Sequence, residues 1–538
     1  MKKVPFMFLI PWLCCLLMSA CSSEQQEVED PFLLSFNVDL GDTVVEGEID
    51  EAKNIILLNG IDDLSLITSV HYTLTDGATI SPEPKTKLHH WNSKEDFVVS
   101  SLGYPGKVYT VIVTEKIPAD TLAVSGDATI FPDEYYGKVI KHFFFDLKAN
   151  NAAIGSMDTA NDLFVDDDCD GLRISILGNA NRPAHPSEGV IVSSYYQYLL
   201  KSIKRAQEAR GNKELIIFAS KKLEGENSFP SWVKDANGII PEEYGAMLVD
   251  YILFMKENGV FIDVLGVDNE ANFNEGEITP EKHAEVVAYL KKQAIEKGFT
   301  MPLIIGPERY EPMGDVPSCW LKRFFDANCG NTLDIYGTHY YPSHRYFDKL
   351  EYELSLIGDR PFWATEPHWS SPQAAPDVLH HAETAICTLW DQTDLGLDAF
   401  MWWAYQREGN LRGCLMRDVS VPIHGARPIR MTDQDGESTL TTGKLQTRAF
   451  RKGDILHVYL INMCLEADLD DAVSYDDYKI GLDSESIDGE VSFVQWTDDS
   501  VVEGTASIAT KLTDKMVMLN LPKRSITHLQ FRLAKQML

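Results

Sequence analysis

The pattern of apolar and polar positions is most regular between residues 140 and 420, where short apolar runs alternate with amphipathic stretches of helix length. Seven of the runs are typical of buried strands: Leu172–Leu177, Leu215–Ala219, Ile262–Val267, Leu303–Ile305, Ile335–Tyr340, Phe362–Thr365 and Ala399–Ala404. An eighth candidate lies near Phe143–Phe145 or Ile154–Met157. About eight strands that alternate with helices predict a (β/α)8 barrel, also called a TIM barrel.

The stretches between these runs carry the signals of helix ends. Pro241-Glu242-Glu243 is typical of a first helical turn, and Asn258-Gly259 is typical of a helix end. Thr279-Pro280-Glu281 and Lys297-Gly298 bound the next stretch in the same way. A doubly wound sheet is the alternative fold. It would more often carry a glycine-rich phosphate loop, and the chain has neither a G-x-G-x-x-G nor a Walker sequence.

Both flanks of this region have the pattern of short β-strands. Residues 31–118 contain β-prone runs separated by turn residues such as Asn59-Gly60 and Tyr104-Pro105-Gly106, with no helix signal. They predict a small antiparallel β-sandwich. Residues 421–538 return to β patterning and predict a C-terminal β-sandwich that packs against the barrel. The barrel domain is therefore assigned to residues 119–420.

The first residues predict a targeting signal. Lys2 and Lys3 precede an apolar stretch that ends in the small residues Ser19-Ala20 before Cys21. This ending resembles the lipobox of bacterial lipoproteins, which implies that residues 1–21 are a signal peptide and that Cys21 is lipidated. The alternative is an ordinary signal peptide with an incidental cysteine.

The stretch after Cys21 predicts where the chain is held. Residues 22–30 are polar and acidic, which is typical of a flexible tether. Acidic residues at this place resemble the export signal of Gram-negative surface lipoproteins, which implies a lipid-anchored position on the outer membrane, at the cell surface. Residues 31–118 then resemble the immunoglobulin-like spacer domains of surface glycan-degrading lipoproteins. No later stretch is long and apolar enough to span a bilayer.

Charge and cysteine content narrow the classes of partner. The chain has 48 basic and 81 acidic residues, and its net charge of -33 argues against nucleic acid and against an anionic membrane face. The only membrane contact that we expect is the lipid on Cys21. None of the nine cysteines has the spacing of a zinc site, so we expect no metal and no cofactor. Cys319 and Cys329 either pair or remain buried free thiols. We expect a monomer, although the sequence leaves the oligomeric state open.

Two of the apolar runs end in glutamate, at Asp268-Asn269-Glu270 and at Ala364-Thr365-Glu366. A single glutamate at a strand end is usually a solvated loop residue. Two of them on one repeated α/β scaffold favour a carboxylate pair that faces one substrate. Glycosidic bonds are commonly cut by two carboxylic acids, of which one protonates the leaving oxygen and the other attacks the anomeric carbon in retaining enzymes. The fourth and seventh strands would hold the pair.

These carboxylates and their neighbours resemble glycoside hydrolase family 30, whose retaining barrel carries a side β-domain. The resemblance covers about residues 150–410. The segments that carry it are Val267–Ala271 for the acid/base, Trp363–Glu366 for the nucleophile, Gly337–Tyr341 for the sixth strand, Gly171–Ser175 for the second strand, Phe229–Lys234 for the third-strand loop and Met401–Trp403 for the eighth strand. One departure is Ala271, since the family usually has proline after the acid/base.

The resemblance implies a role for each residue. Glu366 would be the nucleophile and Glu270 the acid/base, and Arg173 and Tyr341 would keep Glu366 ionised. Glu270 would be protonated at rest because of its negative neighbour and partial burial. Asn269 would donate to the sugar 2-hydroxyl. His339 would contact sugar hydroxyls or orient the acid/base. Three tryptophans would stack on sugar faces: Trp232, Trp369 and Trp402.

Each assignment has a structural alternative. Arg173 could be an ordinary ion-pair partner and His339 a core histidine. Neighbours on a strand face opposite sides, so one of Trp402 and Trp403 is expected in the core.

The function predicted from these features is a retaining glycoside hydrolase that acts on a β-linked polysaccharide, of the endo-β-1,6-glucanase or xylanase type. Two alternatives stay open at this point. One is a non-catalytic surface glycan-binding protein on a barrel scaffold. The other is a related barrel glycosidase that acts on galactan.

Overall fold

The computed structural model describes residues 32–534 apart from internal gaps, which are 42, 51–53, 60, 62–63, 76, 88–93, 102–106, 115–125, 149–153, 179–183, 222–228, 271–277, 341–346, 368–378, 404, 406–409, 435, 437, 440, 443–444, 463–472 and 498–501. The predicted signal peptide, Cys21 and the tether lie outside the described residues. The chain forms two compact units, Met1–Ala123 and Val124–Leu538.

The described residues of the first unit form eight strands around one core. They are β1 (Leu33–Asp39), β2 (Val44–Glu46), β3 (Glu48–Asp50), β4 (Ile55–Asn59), β5 (Ser69–Leu74), β6 (Thr79–Ser81), β7 (Lys94–Ser100) and β8 (Lys107–Thr114). One sheet has the order β2-β1-β5 and the other has the order β3-β4-β8-β7-β6. Alternate side chains from both sheets, such as Phe36, Phe97 and Val111, pack into a shared core.

This arrangement agrees with the predicted small β-sandwich except at one pair of strands. All described pairings are antiparallel apart from β4 with β8, which is parallel. Two sheets around one core are common to many sandwich families, so the immunoglobulin-like assignment stays a prediction.

The second unit contains a closed barrel of eight parallel strands. In chain order, β9 (Ala128–Tyr135) comes first and lies outside the barrel. The barrel strands are β10 (His142–Asp146), β11 (Gly171–Ile176), β12 (Ile216–Lys221), β15 (Val264–Gly266), β16 (Leu303–Arg309), β17 (Ile335–Tyr340), β18 (Phe362–Pro367) and β19 (Ala399–Phe400). A hairpin of β13 (Lys234–Asp235) and β14 (Gly238–Ile239) lies in the loop after the third barrel strand. The predicted TIM barrel is confirmed, and its first strand is the candidate at Phe143–Phe145.

The helices alternate with the barrel strands. They are α1 (Met157–Asn161), α2 (Gln197–Arg210), α3 (Pro241–Glu257), α4 (Pro280–Lys297), α5 (Trp320–Asp326), α6 (Phe347–Ile357), α7 (Leu379–Asp394) and α8 (Leu411–Ile423). As predicted, α3 begins at Pro241, and α4 is capped by the Thr279 hydroxyl and ends at left-handed Gly298. Among the described helices, none has the length and apolar character needed to cross a membrane.

The C-terminal strands form one curled sheet. They are β20 (Arg427–Asp433), β21 (Thr441–Thr442), β22 (Leu445–Lys452), β23 (Ile455–Asn462), β24 (Tyr475–Leu482), β25 (Ser492–Trp496), β26 (Thr505–Ile508), β27 (Thr510–Thr513), β28 (Met516–Leu521) and β29 (Ser525–Arg532). Hydrogen bonds connect them in the order β26-β25-β29-β23-β22-β20-β9-β24-β28-β27, with β21 on β22. The two ends of this path, β26 and β27, flank the single buried residue Ala509. The sheet therefore curls until its edges meet around one core.

The strand β9 corrects the predicted domain boundary. The assignment of residues 119–420 to the barrel is wrong for β9, because this strand pairs with β20 and β24 of the C-terminal sheet. Ala128, Ile130 and Pro132 are buried and alternate with partly exposed residues. A strand of a TIM barrel is covered on both faces, as β11 is along its whole length. The alternating pattern in β9 fits a sheet with one covered face.

Of the two alternatives for Cys319 and Cys329, the structure has the free thiols and not the disulfide. Cys319 and Cys329 are buried free thiols, as are Cys169, Cys387 and Cys414. The Cys319 thiol lies 3.4 Å from a carboxylate oxygen of Glu353, so it has a hydrogen-bond partner inside the helical layer.

Candidate active site

The interior of the barrel changes from apolar to ionised along the strands. The lower layer is formed by Phe144, Phe218, Val264, Ile305, Ile335, Trp363, Ala399 and Met401. Closer to the carboxyl ends of β10, β11 and β12, the interior residues are charged or polar. They are Asp146, Arg173 and Ser220. Polar and charged groups therefore gather at the carboxyl ends of the strands, where TIM barrels carry their active sites.

Arg173 is the centre of this charged layer, and its side chain is completely buried. Its guanidinium donates to the carboxylates of Glu366 at 2.5 Å, Asp146 at 3.0 Å and Glu308 at 2.7 Å. Burial opposes the charge of Arg173, but these three carboxylates raise its pKa above the ordinary value. One buried cation thus connects four strands of the barrel, β10, β11, β16 and β18.

A second buried cation, Lys148, was not predicted from the sequence. It lies two residues beyond the end of β10, and its Nζ donates to Asn269 Oδ1 at 2.5 Å and to Glu366 Oε1 at 3.1 Å. Arg173 also donates to Asn269 Oδ1, at 3.0 Å. Both cations therefore contact the same amide and the same carboxylate. A single lysine after a strand is usually exposed, so the sequence offers no signal for it.

Glu366 is held in its ionised form by its surroundings. Burial by itself would raise its pKa, but His339, Lys148 and Arg173 together hold the pKa of Glu366 well below its ordinary value. Glu366 is therefore a carboxylate at neutral pH, as a nucleophile must be.

A bulge in β18 directs Glu366 into the barrel. The register of β17 and β18 pairs Thr338 with Ala364 and His339 with Glu366, so Thr365 is an extra residue. Trp363 belongs to the interior apolar layer, and strict alternation would turn Glu366 toward the outer helices. The extra residue reverses this direction. The Thr365 carbonyl accepts from Arg173 at 3.0 Å, which fixes the bulge.

Glu270 follows the fourth barrel strand and faces Glu366. Its backbone is left-handed, with φ +52°, and its N–H donates to the carbonyl of Glu308 at 2.7 Å. Such a conformation in a residue other than glycine costs about 1–3 kcal/mol and is often found at active sites. Side-chain oxygens of Glu270 and Glu366 lie within 4.8 Å of each other and of a His339 nitrogen. This proximity fits carboxyl groups roughly 5–5.5 Å apart, the separation in retaining glycosidases.

His339 connects the bulge to Glu366. Its Nδ1 is 2.9 Å from the Thr365 hydroxyl and its Nε2 is 3.3 Å from Glu366 Oε1. Burial lowers the pKa of His339 well below its ordinary value, so the imidazole is neutral at pH 7. A neutral imidazole carries one ring proton, so its Nδ1 can donate to the Thr365 hydroxyl or accept from it.

Glu308 is a third carboxylate of the site that the sequence analysis missed. It is fully buried, accepts from the Ser220 hydroxyl at 3.0 Å, and sits at a register shift in β16 with φ +47°. Burial raises the pKa of Glu308 in spite of Arg173 beside it. The signal was present, because Ile304-Ile305-Gly306-Pro307-Glu308 is also an apolar run that ends in glutamate.

A second ion pair supports the turn that carries Asn269 and Glu270. Lys221 Nζ lies 3.0 Å from Asp268 Oδ1, and both side chains are buried. The same Asp268 oxygen accepts from the Asn269 N–H at 2.8 Å. The Lys221 ammonium also lies 3.8 Å from the ring centroid of Phe229, in the third-strand loop. These contacts fix the backbone just before Glu270.

The tryptophans differ from the predicted sugar platforms. Trp402 is buried in the core outside the barrel, and its Nε1 donates to Ser420 of α8 at 2.8 Å, so its assignment as a sugar platform is wrong. Its neighbour Trp403 faces the site instead, with its ring centroid 5.9 Å from Lys148 Nζ. The Trp232 Nε1 donates to the His185 carbonyl at 2.8 Å. The side chain is only partly buried, so part of its ring is accessible. Tyr341 and Trp369 lie outside the described residues.

The cluster of Glu270, His339 and Glu366 also has the proximity of a metal site. Its charge environment disfavours a cation. Arg173 and Lys148 both donate to Glu366 Oε1, so a metal ion there would face two buried positive charges. The arrangement fits acid/base and nucleophilic chemistry by the two carboxylates better than metal chemistry.

Gly266 leaves room for Glu308, which gives a test of the charged layer. A Cβ at position 266 would lie 1.9 Å from Glu308 Oε1. We expect Gly266→Ala to displace Glu308 from Arg173 and Ser220 and to lower the free energy of unfolding in urea by about 1–3 kcal/mol, the usual range for overpacking. Gly306→Ala is the matched control, because its Cβ would meet only Leu333 Cδ2, at 3.1 Å. A Gly266→Ala protein as stable as wild type would contradict this role of the glycine.

Comparison with known proteins gives a family match for the first unit and weak relatives for part of the barrel unit. Residues 32–134 match the model of a domain of unknown function, DUF4971. A stretch of 174 residues is 24% identical to the glucuronoxylanase XynC of Bacillus subtilis (strain 168). This match covers 30% of the chain and 38% of that enzyme, so the chain spans well under half the length of its curated relative.

Solved structures share the fold over a larger part of the chain. A GH30 endoxylanase from Clostridium papyrosolvens C71 has a TM-score of 0.55 at 18% identity, over 76% of this chain and 100% of that one. The family 30 subfamily 8 xylanase Xyn30A from Clostridium acetobutylicum has a TM-score of 0.54 at 17% identity, with the same coverage. The endo-β1,6-glucanase BT3312 has a TM-score of 0.50 at 15% identity, over 76% and 94%. At these identities the likeness establishes the fold, which is that of glycoside hydrolase family 30 enzymes.

Proposed function

We propose that this protein is a retaining glycoside hydrolase of family 30 type that cleaves a β-linked polysaccharide. The observation that supports this proposal most is the pairing of two glutamates. Glu270 follows the fourth barrel strand and Glu366 lies in the seventh, and side-chain oxygens of the two lie within 4.8 Å of each other. Glu366 is held ionised by Arg173 and Lys148, which suits it to attack. The fold of the neighbouring structures supports the same reaction class.

The reaction would proceed by double displacement. Glu366 attacks the anomeric carbon while Glu270 donates its proton to the leaving glycosidic oxygen, which gives a covalent glycosyl-enzyme and releases the other part of the chain with a free hydroxyl group; the new reducing end forms only when water releases the glycosyl group. Glu270 then takes a proton from a water molecule, the water oxygen attacks the same carbon, and Glu366 is released as a carboxylate. Two displacements on one carbon retain its configuration.

We infer that the substrate is a xylan or a β-1,6-glucan. The inference is supported by the activities that give the similar proteins their names, which are glucuronoxylanase, endoxylanase and endo-β1,6-glucanase. Which of these polysaccharides the enzyme accepts depends on the loops at the carboxyl end of the barrel. A panel with xylan, glucuronoxylan, β-1,6-glucan and a galactan, assayed for new reducing ends, distinguishes them and includes the galactan alternative.

Glutamine substitutions test the carboxylate pair. We expect Glu270→Gln and Glu366→Gln each to lower the rate of polysaccharide cleavage at least about 10²-fold, because each removes proton transfer or the nucleophile without changing the size of the side chain. Reducing-end release measures the rate, and circular dichroism checks the fold.

The control for both variants is Glu285→Gln, the same chemical change on the exposed face of α4. It should leave the rate unchanged. A Glu366→Gln enzyme with the wild-type rate would rule out the assigned nucleophile. A wild-type protein that binds a glycan from the panel and cleaves none would favour the non-catalytic glycan-binding alternative.

We also propose that Cys21 carries a lipid that holds the enzyme on the outer membrane, at the cell surface. The support is the sequence of the first 30 residues alone. Cells that express the full chain and are fed a labelled fatty acid should label the wild type, and Cys21→Ser should abolish the label. Equal labelling of Cys21→Ser would contradict the lipid site.

A further inference from the structure

The buried lysine of the site has a specific pair of contacts. The Lys148 side chain is 2% exposed, and its ammonium donates to Asn269 at 2.5 Å and to Glu366 at 3.1 Å. A lysine is seldom buried to this degree, and removing the charge from water costs several kcal/mol unless the charge is paired. Its two partners are the residues that the family resemblance places at the sugar 2-hydroxyl and at the anomeric carbon. The lysine itself belongs to none of the segments that carry the resemblance.

The two cations determine which way the Asn269 amide points. Lys148 and Arg173 both donate to Oδ1, at 2.5 and 3.0 Å. A side-chain amide has an acceptor oxygen on one branch and a donor nitrogen on the other. A flipped amide would turn its NH2 group toward two positive donors, so the observed orientation is strongly favoured. The Nδ2 branch is thereby turned away from the two cations.

Lys148 contributes to this orientation independently of Arg173. The guanidinium of Arg173 is already engaged by Asp146, Glu308 and Glu366 and by the Thr365 carbonyl. Its position would therefore survive the loss of Lys148. The backbone of Asn269 is held separately, by Asp268. Loss of Lys148 would thus release one restraint on the amide and leave the turn in place.

Lys148 also balances the charges around Glu366. Among the described residues, the charged and titratable groups beside Glu366 include Lys148 after β10, Arg173 on β11, Glu270 after β15 and His339 on β17. Arg173 in turn contacts Asp146 on β10 and Glu308 on β16. Without Lys148, a single guanidinium would face three carboxylates. Protonation of Glu366 would then become easier.

We propose that Lys148 is a positioning residue of the glycosidase reaction, which turns the Asn269 Nδ2–H toward the sugar 2-hydroxyl and keeps Glu366 ionised. The proposal rests on the proposed function. Lys148 acts through these two side chains, and the hydrogen bond that it sets up strengthens as the transition state forms.

The test compares two substrates that differ in one hydroxyl. They are an aryl β-glycoside of the sugar or disaccharide that the wild type accepts, and the analogue that lacks the 2-hydroxyl of the reacting sugar. Lys148→Met keeps the length of the side chain and removes its charge. We expect it to lower kcat/KM on the parent glycoside about 10²-fold, the effect of misplacing a positioned group, and to have at least a tenfold smaller effect on the 2-deoxy analogue.

The pH profile gives a second readout with a defined sign. Activity requires ionised Glu366, so the rate falls as the pH drops through its pKa. Loss of Lys148 raises that pKa. The acidic limb of kcat/KM for Lys148→Met should therefore lie at higher pH than in the wild type, and Lys148→Arg, which keeps a cation, should shift it less.

Two controls separate positioning from folding. Lys201→Met makes the same change on the exposed surface of α2 and should affect neither substrate. In an Asn269→Ala background, Lys148→Met should cost much less on the parent glycoside than in the wild type. The comparison holds even if Lys148→Met is partly unfolded, because each rate is divided by the concentration of folded enzyme, which circular dichroism measures.

The results that would refute the role of Lys148 differ from the result that would refute the proposed glycosidase function. A wild type that hydrolyses neither glycoside and none of the polysaccharides would refute the glycosidase itself. If the wild type is active, equal losses of Lys148→Met on the two glycosides would overturn the positioning role of Lys148. An unchanged acidic limb would overturn its charge role.

Discussion

The interaction on which the rest of the site depends is the buried contact of Arg173 with Glu366, Glu308 and Asp146. Ionised groups inside a protein cost several kcal/mol each unless they are paired and hydrogen-bonded. The barrel satisfies this condition by placing the charged layer directly on top of an apolar layer, so that the charges have no water on that side and must satisfy one another. Removal of Arg173 would leave three buried carboxylates, from three other strands, without the cation that they share.

Backbone geometry is the second requirement. Glu270 and Glu308 have left-handed backbones, and Glu366 and Glu308 follow or occupy register shifts between neighbouring strands. A regular barrel strand would have turned Glu366 outward. The local strain, about 1–3 kcal/mol for each left-handed residue, is balanced by the ion pairs and by the Glu270 N–H bond to the Glu308 carbonyl. The irregular backbone and the charged layer therefore stabilise each other.

The sequence predicted the parts of the molecule that follow from hydrophobic periodicity. The barrel, its strand order and the places of Glu270 and Glu366 could be read from apolar runs and helix ends. Periodicity could not show that Thr365 is an extra residue or that Lys148 is buried, because both depend on contacts between distant strands. Trp402 was assigned to the wrong face for the related reason that adjacent residues alternate. Glu308 is different, because it ends an apolar run as the two predicted glutamates do and could have been found.

The configuration of the first product shows whether Glu366 forms a covalent intermediate on the anomeric carbon with Glu270 as the acid/base. Proton NMR of a cleavage reaction, followed from the first minutes before mutarotation, shows which anomer is released. If Glu366 is the nucleophile, the β-anomer appears first and the α-anomer only later, by mutarotation. Initial release of the α-anomer would mean a single displacement by water and would contradict the assigned role of Glu366.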